Sequence, residues 1–313
     1  MPALRSPHPQ LYASRPGALP SRFRRERVLL VGCGDIGVRV ARELGGRVRL
    51  LALTSNPARV PELRQRGITP LTGDLDRPAS LQRLGGLATR VVHLAPPPDA
   101  GRTDPRTLAL TRVLRRRSHP QSLVYGSTSG VYGDCQGDWV DENRPVNAFT
   151  TRAQRRVHAE RLVRHFGRAT GAVSSILRIP GIYAPDRVGG TPRERLQKGT
   201  PVLRSEDDVF TNHIHADDLA RACVRALWRA PVQRVFNVCD DTELSMGDYF
   251  DLAADLYGLP RPERVSREQA RERLSPLTLS FMGESRRLRN LRMKRELGLR
   301  LRHASVEQGL RGA

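Results

Sequence analysis

The sequence predicts an α/β protein built on a doubly wound parallel sheet with helices on both faces. Three observations point there. From Val28 onward, apolar runs of strand length alternate with segments of helix length, and glycine, proline or hydroxyl clusters close the runs. The first run, Val28-Leu29-Leu30-Val31, breaks into Gly32, Gly34 and Gly37 at GxGxxG spacing, and the residues after it place Ile36, Val40, Ala41 and Leu44 on one helical face. At 313 residues the chain can bury a sizeable core, in one large domain or two interlocked ones.

Each glycine has a separate physical task in such a loop. Gly32 makes the turn, Gly34 lets the backbone approach a pyrophosphate, and Gly37 lets the helix pack close to the strand. A pyrophosphate then sits on the free N–H groups and positive dipole end of the helix, at Asp35 and Ile36. The bland alternative is a glycine turn that binds nothing.

Further along, Arg47 to Leu53 reads as a second strand and Pro57 to Arg66 as a helix opened by proline. Ile68 to Leu71 is a third strand, followed by Asp74 and Leu75, and Pro78 to Leu84 suits a short helix. Arg90 to Ala95 is a fourth strand stopped by Pro96-Pro97-Pro98, Thr103 to Ser118 a helix, and Gln121 to Ser127 a fifth strand. Ligands of such sheets lie beyond the carboxyl ends of the strands, where these turn clusters fall.

Composition narrows the function classes. The formal charge is +21, yet only Lys198 and Lys294 are lysines, aromatics make up 5%, and the arginines are scattered over every predicted helix. A stacking surface interleaved with charge is missing, so specific nucleic-acid binding is not expected. Cys33, Cys135, Cys223 and Cys239 form no CxxC pair, and no His lies at metal-ligand spacing, which predicts reduced thiols, no metal site and a cytoplasmic location. Residues 1–25 carry five arginines, no acid and five helix-breaking prolines, and read as a disordered basic tail. No apolar stretch approaches the ~18 residues that span a bilayer, so no membrane partner is expected.

At Gly126-Ser127-Thr128-Ser129-Gly130-Val131-Tyr132-Gly133 the chain resembles the SSxxVYG motif of the extended short-chain dehydrogenase/reductases, the NAD-dependent epimerase/dehydratase family. Agreement continues in register. Trp139 to Glu142 resembles the acidic turn, Leu177 to Pro185 the LRxxxxYGP segment, Asn212 to Ala220 the IHVDDLA stretch, Val235 to Val238 the YNV strand, and Glu284 to Gly298 the ESKRxxNxxxKxxLG close. The resemblance implies a Rossmann-type dinucleotide-binding core over 26–180 and a smaller C-terminal α/β substrate domain over 181–313. About 205–240 is expected to return to the core, and Val173 to Ile179 to form the sixth strand. Six basic residues over 286–295 read as a solvated face or, less simply, a polyanion site.

The family's acid/base work belongs to a Tyr-x-x-x-Lys pair on the helix after the acidic turn, with a Ser or Thr holding the substrate oxygen. Thr128 matches that Ser/Thr. Anchored on Glu160, the Tyr and Lys positions fall on Arg152 and Arg156, and no tyrosine lies between Tyr132 and Tyr183. Arginine stays protonated in proteins and cannot stand in for a phenol. The helix either clamps an anion and positions the cofactor, or has drifted so that both arginines point to solvent. Tyr183 is expected beside the substrate pocket, with packing as its simpler role. His213 and His215 alternate in a predicted strand; one can face the cleft, but capping the Asp217-Asp218 helix is preferred. Arg178 could hold an anion or pair with a core carboxylate.

The second strand ends in Leu53-Thr54-Ser55-Asn56-Pro57-Ala58-Arg59, which offers hydroxyls and Arg59 where an NAD-selective site has a carboxylate. NADP is therefore the expected cofactor, with NAD an alternative. By resemblance, Asp74 and Leu75 meet the adenine, and Leu94, Ala95, Pro96, Ser127 and Pro180 border the ribose and nicotinamide. Two functions stay open: an NAD(P)-dependent oxidoreductase or epimerase/dehydratase-like enzyme acting on a small polar substrate, sugar-linked or not, and a non-catalytic NAD(P)-binding sensor or scaffold; in either case an anionic small molecule is a candidate partner. A homodimer is left open as well.

Overall fold

The computed structural model describes residues 25–311, so all but Arg25 of the expected basic tail lies outside the described residues. Seven parallel strands form the main sheet: β1 (Arg27–Val31), β2 (Arg49–Thr54), β3 (Thr69–Thr72), β4 (Arg90–His93), β5 (Ser122–Thr128), β6 (Val173–Ile179) and β7 (Arg234–Asn237). Their order is β3-β2-β1-β4-β5-β6-β7. β1 is hydrogen-bonded to β2 on one side and to β4 on the other, so the chain reverses direction of travel across the sheet at β1. A crevice opens at that switch point, beyond the carboxyl ends.

Period-2 alternation sorts the strand residues between two layers. Val28 and Leu30 pack on the side of α1 (Asp35–Leu44) and α2 (Val60–Gln65), whereas Leu29 and Val31 face α3 (Pro105–Leu114) and α4 (Thr151–Thr170). The first layer is completed by α5 (Ala216–Arg229), which returns from the C-terminal half with β7. Both faces of the sheet are therefore covered, which explains why its strands read as nearly continuous apolar runs.

Several boundaries differ from the sequence reading. Arg47 belongs to a short 3₁₀ turn, and β2 begins two residues later and extends through Thr54. The helix expected over Pro57 to Arg66 is a 3₁₀ turn at Pro57–Arg59 followed by α2. The helix expected over Thr103 to Ser118 is shorter, because Asp104 accepts the Thr107 N–H and sets its start at Pro105. A second apolar cluster, including Leu196, Val202, Tyr249, Phe250 and Val306, forms the core of the smaller C-terminal part. Between β6 and α5 a separate two-stranded sheet pairs Gly181–Tyr183 in parallel with His213–His215.

Candidate cofactor and substrate cleft

Gly32 has φ +88°, and a Cβ there would lie 2.3 Å from the backbone nitrogen of Ala95. The crowding arises because the Leu94 and Ala95 N–H groups both donate to the Val31 carbonyl, at 2.7 and 3.0 Å. Gly37 is constrained too, less tightly, since its Cβ would stand 2.9 Å from the Gly32 carbonyl oxygen. Gly34 differs: no atom lies within 4 Å of its would-be Cβ. It is the N-cap of α1 and brings no side-chain cap, so the N–H groups at Asp35, Ile36 and Gly37 have neither an intrahelical nor a side-chain acceptor. Open space over uncapped donors at a helix N-terminus fits a pyrophosphate.

The Asp35 carboxylate does not face that space freely. It is held by Arg39 Nε at 3.0 Å and Arg187 Nε at 3.1 Å, so Asp35 offers the ligand its backbone. Arg39, itself buried, also reaches Asp186 and Asp217 at 2.5 and 2.6 Å. One guanidinium thus ties α1 to the loop after Tyr183 and to α5.

At the end of β2, Thr54 Oγ1 turns into its own loop, accepting the Asn56 N–H at 3.2 Å, while Ser55 is exposed. Arg59 Nη1 donates to the Cys33 carbonyl at 2.6 Å, which sets this guanidinium against the glycine loop, and its Nε meets Glu62 at 3.3 Å. Asp74 caps its own turn through the Asp76 N–H, and Leu75 packs partly buried against the sheet. Pro96 is exposed at the end of β4.

Ser127 is buried and donates to Glu160 Oε1 at 2.7 Å. Glu160 also receives Arg178 through Nε at 3.1 Å and Nη2 at 2.8 Å. Of the two readings of Arg178, the structure gives the core pairing, with the guanidinium 4.6 Å from the Tyr132 ring centre. Ser127 is therefore anchored from behind, at the lip of β5.

Beyond the carboxyl ends of β4 to β6 lies a cleft of about 570 Å³. It gathers Pro96, Thr128, Arg152, Arg156, Pro180 and Tyr183; the glycine loop, Thr54, Ser55, Arg59, Asp74 and Leu75 do not line it and lie along the other half of the sheet edge. Thr128 Oγ1 accepts the Gly130 N–H at 3.2 Å. Arg156 turns inward, and its Nη1 donates to the Gly126 carbonyl at 2.8 Å and the Tyr125 hydroxyl at 3.1 Å. The drifted-helix expectation, with both arginines in solvent, is thus corrected at Arg156: a carbonyl at the end of a strand attracts the charge. Arg152 is exposed, 4.7 Å from the Phe281 ring centre, with no hydrogen bond or ion pair to a described residue.

Tyr183 lines the cleft with its ring, while its hydroxyl donates to the Ser305 carbonyl at 3.1 Å. Burial pushes that phenol well above its ordinary pKa. His215 accepts the Asp217 N–H at 3.2 Å and caps α5. His213 faces the cleft instead, 4.1 Å from Tyr249 between ring centres, and burial takes its pKa down to about 4, so the ring is neutral.

Sequence reasoning missed Arg155, Arg195, Tyr249 and a set of phenylalanines. Phe210, Phe250 and Phe281 line the cleft, three of the seven phenylalanines in the chain, so their concentration after residue 200 was the available signal. Among the described residues no three His, Cys, Asp or Glu side chains gather as metal ligands, and no helix is long and apolar enough to cross a membrane.

Residues 28–239 match the model of the NAD dependent epimerase/dehydratase family, and the chain belongs to that family. A protein of Methanocaldococcus jannaschii named "Putative UDP-glucose 4-epimerase" is 24% identical over 149 residues, which cover 44% of this chain and 48% of that protein. The chain thus aligns with about half the length of this curated relative. Among solved structures, a functionally unknown conserved protein from Silicibacter pomeroyi shares 28% identity at a TM-score of 0.75, covering 92% of this chain and 97% of that one. The UDP-glucose 4-epimerase of Thermotoga maritima, solved with UDP-glucose, shares 18% identity at a TM-score of 0.74, over 91% and 96% of the two chains. The UDP-glucose 4-epimerase of Thermus thermophilus, solved with NAD, shares 22% identity at 0.69, again over 91% and 96%. These last two likenesses show the fold.

Proposed function

We propose that this chain is an NADP-dependent oxidoreductase of its family that acts on a small, polar, anionic substrate without a tyrosine–lysine proton relay. One observation carries the reading: an open, uncapped α1 N-terminus stands at one half of the sheet's carboxyl edge, and the cleft at the other half presents Arg152 and Arg156 beside Thr128. The N–H groups at Asp35, Ile36 and Gly37 would hold the pyrophosphate. Ser55 and Arg59 would meet a ribose 2′-phosphate, since no carboxylate stands at the end of β2 to repel it. Asp74 and Leu75 border the adenine, and Leu94, Ala95, Pro96, Ser127 and Pro180 the nicotinamide half. The bound dinucleotide supplies the hydride donor or acceptor.

The chain's own residues then bind and orient. Arg152, with no partner of its own, can grip a carboxylate or phosphate in a two-pronged fork. Arg156, committed to Gly126 and Tyr125, fixes a positive charge at the floor of the cleft. Neither guanidinium releases a proton near neutral pH, so the proton comes from water.

The loss of phenol and ammonium also favours a second reading, a sensor that binds NADP and a ligand without turnover. Loss of reduced-nicotinamide absorbance decides between them, followed with a panel of small 2-oxo acids and phosphorylated ketones and compared with epimerisation of UDP-glucose. The proposal expects oxidation of NADPH by an anionic carbonyl compound and no epimerisation. Binding of NADPH with no turnover across the panel selects the sensor, and rapid epimerisation of UDP-glucose overturns both readings.

A further inference from the structure

Arg195 lies on the short helix Arg193–Gln197 and lines the cleft. Its guanidinium sits 4.4 Å from the Phe250 ring centre and has no hydrogen bond or ion pair with any described residue; Nη2 is sealed from solvent. Three more deeply buried guanidiniums each have an acceptor: Arg39 has three carboxylates, Arg178 has Glu160, and Arg155 has the Gly101 carbonyl. Burial lowers the pKa of Arg195 from its ordinary value, as expected of a cation removed from water without a counter-charge.

The surrounding wall repeats the pattern. Thr211 Oγ1 and His213 Nδ1 are buried without hydrogen-bond partners, and both residues line the same cleft. The cleft's carboxylates do not answer Arg195: Glu284 is taken by Arg286 at 2.8 Å, and Asp99 forms no ion pair with it. An aromatic face attracts a cation but accepts none of its N–H bonds. Buried polar groups in native proteins are nearly always hydrogen-bonded, so several orphans on one wall point to a ligand that completes them.

We infer that Arg195 anchors the anionic end of the substrate: a carboxylate or phosphate docks on its guanidinium beside Phe250, and the reacting end extends toward Thr128 and Arg152. This inference rests on the proposed reading that a small anionic substrate fills the cleft, and it adds the residue that orients it. Arg195 is a specificity-determining residue in this account, because a neutral substrate would leave its charge unanswered.

Thermal unfolding of the full chain tests it, with and without NADP, in the presence of inorganic phosphate or succinate. Either anion should raise the Tm of the wild type, and the larger shift identifies phosphate or carboxylate as the preferred group. Arg195→Met should abolish the anion-induced shift. It should also raise the ligand-free Tm by about 1–3 °C, since it replaces a desolvated charge by an apolar side chain. Arg195→Lys keeps the charge and should retain part of the shift. A wild type that responds to neither anion, or a shift that persists undiminished in Arg195→Met, overturns the inference. The two readings separate cleanly: failure to bind NADP with the anion response intact removes the proposed oxidoreductase and leaves the anchor.

Discussion

The two halves of the sheet's carboxyl edge are built on different chemistry. At the glycine loop the groups that would meet a ligand are backbone N–H donors, and the shape around them is set by Gly32 and Gly37, where a Cβ would strike backbone. At α4 the groups are side chains, and there Arg152 and Arg156, one turn apart, line the cleft together with Arg155. The difference teaches where a fold is free to change. Backbone donors are fixed by the path of the chain, so replacing α4 side chains leaves them in place, whereas acid/base chemistry goes with the single side chain that performs it.

The contrast is broken most severely at the loop itself. Gly32→Ala places a Cβ against the Ala95 backbone at a positive φ, and neither can yield; we expect a loss above about 4 kcal/mol, read as little folded protein in chemical denaturation. Gly34→Ala enters open space, so the same measurement should show a stability change no larger than the roughly 1 kcal/mol ordinary for a surface glycine. Equal damage from both would contradict the roles given to the two glycines.

Next in size is Glu160→Gln, which leaves Arg178 buried without its carboxylate and should cost about 3–5 kcal/mol by urea denaturation. Within α4 the two arginines should separate. Arg156→Ala removes two hydrogen bonds from a charged donor and is expected to lose about 1.5–3 kcal/mol, while Arg152→Ala should stay within about 0.5 kcal/mol. Identical effects would mean that Arg156 is as free as Arg152.

A separate effect is visible in pH dependence. Burial raises the Asp240 carboxyl to about 7, above its ordinary range, so the folded protein holds a proton that the unfolded chain releases near pH ~4. Its contribution is present below the unfolded value and is lost as pH rises through about 7. Asp240→Asn should flatten that part of the stability profile and raise stability at pH ~8 relative to the wild type. An unchanged difference between the two proteins from pH ~4 to ~8 would exclude it.

Much of this arrangement is legible in the residues. The sheet strands announce themselves because both faces are buried, and the GxGxxG spacing requires the close contacts seen at Gly32 and Gly37. Helix starts are harder to place. Asp104 and the 3₁₀ turn at Pro57–Arg59 shift boundaries through local capping that a periodicity argument does not weigh. The direction of Arg156 depends on the Gly126 carbonyl, some 30 residues away in sequence, and the Arg195 wall is assembled from separate segments around 195, 211–213 and 249–250. Such side chains carry no spacing signal, because only the returning chain brings them together.

Calorimetric titration with NADP and NAD tests the central claim most directly, that the glycine-loop half is a working dinucleotide site while α4 presents Arg152 and Arg156 to the cleft. The wild type should bind NADP at least about tenfold more tightly than NAD, a difference of roughly 1.4 kcal/mol, and Arg59→Ala should erase the preference while leaving NAD binding in place. No binding of either dinucleotide, or a preference for NAD that Arg59→Ala does not alter, would contradict the account.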